Sequence, residues 1–202
     1  MDAEQLRAIY NERFSQQRNI WSSVDERKTM KVARSMMRWL TAFGFNKPTA
    51  RLLDVGCATG FYTEAFRRLG CDVVGLDYSE VAIEKATRNF PQCKFVQMNG
   101  FEPTFHQEFD VIFCSGFSGA NTHDLAFIAK WINRYMAFIS PGGFSIFSYL
   151  SNFSGKEKEG EIVNHSIKEI NDLARLIEGE YRGMRLFQYF GLVSRIKKVV
   201  QR

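Results

Sequence analysis

Leu52-Leu-Asp-Val-Gly-Cys-Ala-Thr-Gly60 decides how this chain is read. Arg51 to Val55 is a short, mostly apolar run that stops at glycine, as a buried parallel strand does. Phe61, Ala65, Phe66 and Leu69 follow at helical spacing, and Gly70 ends that helix. A strand, a glycine-flanked turn and a helix therefore meet at Gly56 to Gly60. Such a turn lets a ligand approach the backbone, and the helix start offers unpaired N–H groups to an anion.

Glycines alone are weak evidence, and the acids around them are more telling. The dinucleotide fingerprint is Gly-x-Gly-x-x-Gly. Here the spacing is Gly-x-x-x-Gly, and Asp54 stands two residues before Gly56. A carboxylate there repels a pyrophosphate and suits the ammonium of a methionine moiety. This points to S-adenosylmethionine (SAM) rather than NAD. Asp77 ends the next apolar run, Cys71 to Leu76, 21 residues after Gly56. An acid at that distance accepts hydrogen bonds from ribose hydroxyls.

Alternation of strand and helix continues outward from the turn. Ser79 is an N-cap for a helix carrying Val81, Ala82, Ile83 and Ala86. Strands follow at Lys94–Met98 and Phe109–Cys114. Leu125, Ile128, Ala129, Ile132, Tyr135, Met136 and Ile139 form the apolar face of a long helix, broken by Pro141-Gly-Gly143. A fifth strand is expected at Phe144–Leu150 and a sixth at Tyr181–Phe190, with a capping box at Ser166-Ile-Lys-Glu169 opening the helix between them. The pattern predicts an α/β doubly wound, mostly parallel sheet over residues 50–190. Residues 1–46 precede it as helices, with Val32, Met36, Trp39, Phe43, Met37 and Leu40 as the apolar face of the second. Residues 191–202 fit either a final strand or a basic amphipathic helix able to touch a membrane surface or a partner.

The 202 residues suit a single domain. The acidic, polar start is not a secretory signal, and no apolar run reaches bilayer length. The four cysteines form no Cys-x-x-Cys pair, which argues against a zinc ribbon and for reduced thiols in the cytoplasm. The net charge is +5, yet basic and acidic residues alternate through most of the chain. The charge is therefore assigned to solvated faces rather than to nucleic acid, with local excess at Arg27–Arg38 and Arg195–Arg202. The polar run 152–160 is expected to be a loop.

Taken together, the motifs resemble the class I SAM-dependent methyltransferases. The stretch Leu52–Gly60 is similar to the family's first motif and Val74-Gly-Leu-Asp77-Tyr-Ser to its second. Phe109–Ser115 and Ser140-Pro-Gly-Gly-Phe144 are similar to the fourth-strand motif and the turn into strand five. The resemblance implies a seven-stranded sheet with a reversed last strand. It implies that Gly56, Cys57, Ala58 and Gly60 shape the methionine pocket with Asp54, that Asp77 holds the ribose and that Tyr78 packs on the adenine. The family often places an acid after strand three. This chain has Asn99 there, followed by Gly100 and Phe101, and an Asn carbonyl accepts the same adenine hydrogen bond. Ser115, Gly116 and Phe117 are expected between cofactor and acceptor, and S-adenosylhomocysteine is the product.

Methyl transfer from a sulfonium needs alignment and a dry site more than an acid–base pair. His123 is the candidate general base, or else merely opens the long helix. Tyr149 is a candidate for the substrate pocket, and Tyr10, Arg13, Phe14 and Trp21 for contacts from a helical cap. His106 and His165 are expected at the surface, and no metal is expected. A small-molecule acceptor, such as a sugar or another secondary metabolite, is favoured. RNA or protein methylation, or a non-catalytic binding module, are the alternatives.

Overall fold

A computed structural model describes residues 3–16, 26–151, 163–189 and 193–201. For the strand residues 149–151, 181–189 and 193–201, and for Ala3 and Leu6, the description covers the backbone alone. The chain forms two compact units, Met1–Pro103 and Thr104–Arg202.

The first unit holds α1 (Ala3–Ser15), α2 (Glu26–Ala42), β1 (Arg51–Val55), α3 (Phe61–Arg68), β2 (Asp72–Asp77), α4 (Glu80–Asn89) and β3 (Lys94–Gln97). Its strands run parallel in the order β3-β2-β1, with Asp54 opposite Gly75 and Val55 opposite Leu76. Leu52, Leu53, Val55, Val73 and Leu76 are fully or almost fully buried, along with Phe66 of α3 and Ala82 and Ala86 of α4. Gly75 leaves room for that packing, because a Cβ there would lie 2.7 Å from both Phe95 Cδ1 and Thr63 Oγ1. The buried stripe of α2 is Thr29, Ala33, Met36 and Leu40. It is rotated from the expected one: Val32, Met37 and Trp39 are half-buried. Small residues at 29 and 33 let α2 lie close on α3, which the larger apolar residues cannot do. Arg27, Lys31, Arg34 and Arg38, the basic stretch of α2, line an open groove with Met37 and Leu69.

The second unit holds β4 (Phe109–Ser115), a short 3₁₀ turn (Ser118–Ala120), α5 (Leu125–Met136), β5 (Ile139–Ser151), α6 (Ile167–Leu176), β6 (Glu180–Tyr189) and β7 (Val193–Gln201). Its strand order is β4-β5-β7-β6. The β4–β5 pair is parallel, and β7 runs antiparallel to both β5 and β6. The basic C-terminal stretch is therefore strand β7 rather than a helix. Residues 109–114 of β4 are all buried, as expected of a strand covered on both faces.

The largest boundary differences from the sequence reading lie at the end of α5 and the start of β5. The helix α5 ends at Met136, and Ile139 already pairs with Phe109 as the first residue of β5. Pro141-Gly-Gly143 is then a bulge inside β5, since the next pair in register is Val111 with Phe144. Gly142 adopts φ 77°, and a Cβ at Gly143 would lie 2.9 Å from the Asp110 carbonyl oxygen. The Ser140 hydroxyl donates to buried Asp110 at 2.9 Å and fixes the bulge. Among the described residues, no helix is long and apolar enough to cross a membrane.

Candidate functional site

In the first unit, β1 and β2 end side by side and bring Asp54, Gly56–Gly60 and Asp77 together. The Leu76 carbonyl accepts both the Gly56 and Cys57 N–H groups, at 2.8 and 2.9 Å, so the loop is pinned to the neighbouring strand. Gly56 and Gly60 have φ of 70° and 86°, and Ala58 has φ 50°. A non-glycine residue in that region carries strain. The Asp77 carboxylate offsets it by accepting the Ala58 N–H at 2.9 Å, while its other oxygen accepts the Ser79 N–H at 2.9 Å.

Gly60 also has a packing role. A Cβ there would meet Phe95 Cζ at 2.7 Å and Phe90 Cδ2 at 3.1 Å. A glycine at this position serves backbone conformation and packing against two rings.

Asp54 is 2% exposed and accepts the Thr63 hydroxyl of α3 at 2.7 Å. Burial pushes its carboxyl up to about 7, with Thr63 opposing and the charge of Asp77 adding. Burial also raises Asp77, against the hydrogen bonds from Ser79, Ala58 and Tyr78. Two acids held in a dry setting beside each other favour a cation or hydroxyl donors as a third partner. The Ala58 and Ser79 N–H groups each occupy one Asp77 oxygen, and a carboxylate has about four acceptor sites, so it keeps capacity for ribose hydroxyls. The donor and acceptor chemistry thus suits the ammonium and ribose of SAM.

Tyr78 is half-buried beneath the Arg7 guanidinium, 5.9 Å from the ring centroid. The helix α1 reaches the same corner, where the Ser79 hydroxyl donates to Asn11 at 2.6 Å. Tyr10 stands on this helix, 6.4 Å from the Phe14 ring and beneath Arg13. Phe14 is buried, and its carbonyl accepts from Lys85 of α4. Met98 N–H donates to the Asp77 carbonyl, which carries the chain into Asn99. The Asn99 side-chain oxygen accepts the Phe101 N–H at 3.0 Å, so it shapes its own turn, with Gly100 buried within it. Trp21 lies outside the described residues.

In the second unit, Ser115 ends β4 half-buried, and Gly116 turns the chain with φ 75°. Phe117 packs edge-to-face on Trp131 at 4.9 Å, and Trp131 donates to the Gly119 carbonyl at 3.1 Å. Tyr149 pairs with Ile196 in the β5–β7 ladder; its side chain lies outside the described ones.

His123 is exposed, and its Nδ1 lies 2.6 Å from Glu169 Oε1. Asp124, not His123, caps α5 by accepting the Phe127 N–H. His165 is 2% exposed, which overturns its expected surface position. Its Nε2 lies 2.8 Å from the Ala120 carbonyl, and its ring is 5.8 Å from that of His123. Burial alone would raise the Glu169 carboxyl, but two bonds from Ser166 and the His123 contact outweigh it and hold it at about 2. Sequence reasoning saw Glu169 only as the partner of Ser166 in a capping box, which the structure also contains. Its second contact, with a histidine 46 positions away, leaves no local trace.

Residues 52–143 match the family described as Methyltransferase domain. Over 162 residues, 71% of its length, the chain is 29% identical to the dTDP-4-amino-2,3,4,6-tetradeoxy-D-glucose N,N-dimethyltransferase of Saccharopolyspora spinosa; the match spans 64% of that enzyme, under two thirds of it. The fold is similar to that of the Synechocystis magnesium protoporphyrin IX methyltransferase with bound S-adenosylhomocysteine, with a TM-score of 0.75, 17% identity and 100% of both chains covered. It is equally similar to the Burkholderia thailandensis 1,6-didemethyltoxoflavin-N1-methyltransferase, with a TM-score of 0.75, 18% identity, and 99% of this chain and 89% of that one covered.

Proposed function

We propose that this chain is a class I SAM-dependent methyltransferase that methylates an oxygen or nitrogen of a small molecule in the cytoplasm, a reading supported by its match to the methyltransferase-domain family over residues 52–143 and by its fold. The observation that carries the reading is the pair of acids, buried Asp54 and half-buried Asp77, at adjacent parallel strand ends around a left-handed loop. SAM, when bound, supplies an electrophilic methyl group on a sulfonium.

The chain's own residues bind, orient and take up a proton. Asp77 receives the ribose hydroxyls on oxygens already oriented by Ala58 and Ser79. Asp54 faces the ammonium as a carboxylate. Gly56, Cys57, Ala58 and Gly60 shape the pocket between them. Tyr78 lies against the adenine, with Asn99, Gly100 and Phe101 at its edge. Ser115 is assigned to the cofactor, and Phe117, Tyr10 and Tyr149 to the acceptor's surroundings. Glu169 holds His123 by Nδ1, which leaves Nε2 as the lone pair that accepts the acceptor's proton.

A small acceptor is supported by the relatives, one named for an amino-sugar nucleotide and one for a toxoflavin precursor. Incubation with methyl-labelled SAM and a panel of amino sugars, phenols, amines and RNA tests the reading. Label is expected on a small acceptor. Label on RNA alone, or on nothing in the panel, overturns it.

A further inference from the structure

The second unit holds a donor set that methyl transfer uses only in part. His123, His165 and Glu169 each present one ligand atom, and these atoms lie within 4.8 Å of one another. Among the described residues no other group of three His, Cys, Asp or Glu does so. We propose that these three side chains form a binding site for a divalent transition-metal ion of zinc's type.

The surroundings orient two of the donors, His165 and Glu169, in the way a metal needs. The His165 Nε2–H donates to the Ala120 carbonyl, which places the lone pair of the neutral ring on Nδ1. A backbone carbonyl on the far nitrogen is the usual support of a ligating imidazole. Glu169 Oε2 accepts the Ser166 N–H at 2.8 Å and the Ser166 hydroxyl at 2.7 Å, so the capping box fixes the carboxylate with Oε1 turned toward His123.

Burial grades across the set. His165 is buried, Glu169 half-buried and His123 exposed, so the site has a fixed wall and a solvent-facing side. Two histidines and one carboxylate with an open fourth position are a recurring zinc arrangement. Ligand distances of about 2.0–2.2 Å put neighbouring donors roughly 3.3 Å apart. The widest spacing, up to 4.8 Å, must therefore contract while the His123–Glu169 pair, at 2.6 Å, opens, and exposed His123, on the turn before α5, is the member able to move. Among the described residues no cysteine belongs to such a group, so thiolate ligands are not part of the set.

An ion on His123 Nδ1 sends the proton of that nitrogen, through solvent, to Nε2. The loaded imidazole then has no lone pair for an acceptor's proton. The site itself does not depend on the methyl-transfer reading; only this consequence does.

The test titrates metal-free, full-length protein with zinc against a chromophoric chelator, and with cobalt(II) by visible absorption, both without SAM. One equivalent is expected, with ligand-field bands and no thiolate charge-transfer band. His165→Ala and His123→Ala should each weaken zinc at least about tenfold, with circular dichroism verifying the fold. His123→Ala, at an exposed position, keeps the test open if the buried histidine variant does not fold. In methyl-transfer assays, zinc should slow the wild type and leave His165→Ala unaffected. Absence of stoichiometric uptake, a thiolate band, or equal zinc affinity in the wild type and both variants overturns the proposal. Uptake that leaves methyl transfer unslowed would instead count against the reading of His123 as a base.

Discussion

The two groups of functional candidates are built by opposite means. In the first unit, the loop after β1 is held by backbone: the Leu76 carbonyl, left-handed residues and a carboxylate that accepts two main-chain N–H groups. Desolvation pushes both of its acids up, buried Asp54 and half-buried Asp77. In the second unit, the His123–Glu169 pair is made by side chains at a half-open surface, and hydrogen bonding pulls its acid down. A backbone-built site tolerates few substitutions at its turns. A side-chain-built site loses chemistry before it loses fold.

Gly60→Ala attacks the backbone-built side hardest. A left-handed non-glycine residue costs about 1–2 kcal/mol and the collision with Phe95 a similar amount, so about 3 kcal/mol of stability should be lost by denaturant titration. An unchanged midpoint would break the contrast.

His123→Ala should leave the unfolding midpoint nearly unmoved and lower kcat by about 10² on an acceptor that must lose a proton. Equal kcat would remove His123 from the chemistry.

Asp54 sharpens the comparison through pH. Its folded value of about 7 lies above the ordinary 3.8, so the protonated form is favoured by folding. The stability this contributes is complete below 3.8 and lost as pH rises through about 7. SAM's ammonium prefers the charged form, so cofactor affinity should rise with pH through the same region. Thr63 and Asp77 are the groups facing it. Asp54→Asn should flatten that rise and weaken SAM about tenfold at alkaline pH. A pH profile identical to wild type would contradict the ammonium role.

The smallest effect belongs to Glu169. Its folded value of about 2 lies below the ordinary 4.5, so its contribution is present above 4.5 and lost as pH falls toward 2. Glu169→Gln should remove about 1 kcal/mol at neutral pH and blunt that acid limb in thermal unfolding. An unaltered acid limb would show that the pair carries no stability.

The contrast also explains what the sequence revealed. Asp54, Gly56 and Asp77 were legible because a strand-turn-helix unit fixes their spacing locally, and the parallel strands bring the two acids together without further information. The bulge at Pro141–Gly143 was read as a break because register with β4 is a property of the pair, not of the stretch. The packing role of Gly60 leaves no local trace, because the rings of Phe90 and Phe95 lie 30 or more residues on. The same distance hid Glu169 from His123, and the burial of His165 follows from packing around the 3₁₀ turn rather than from any local pattern.

The central claim is that Asp77 and the loop it clasps form the SAM site. Calorimetric titration of SAM into the wild type and Asp77→Ala tests it most directly. One-to-one binding in the wild type, weakened at least about a hundredfold in the variant, is the predicted result. Equal affinity in the two proteins, or no binding by the wild type, would contradict it.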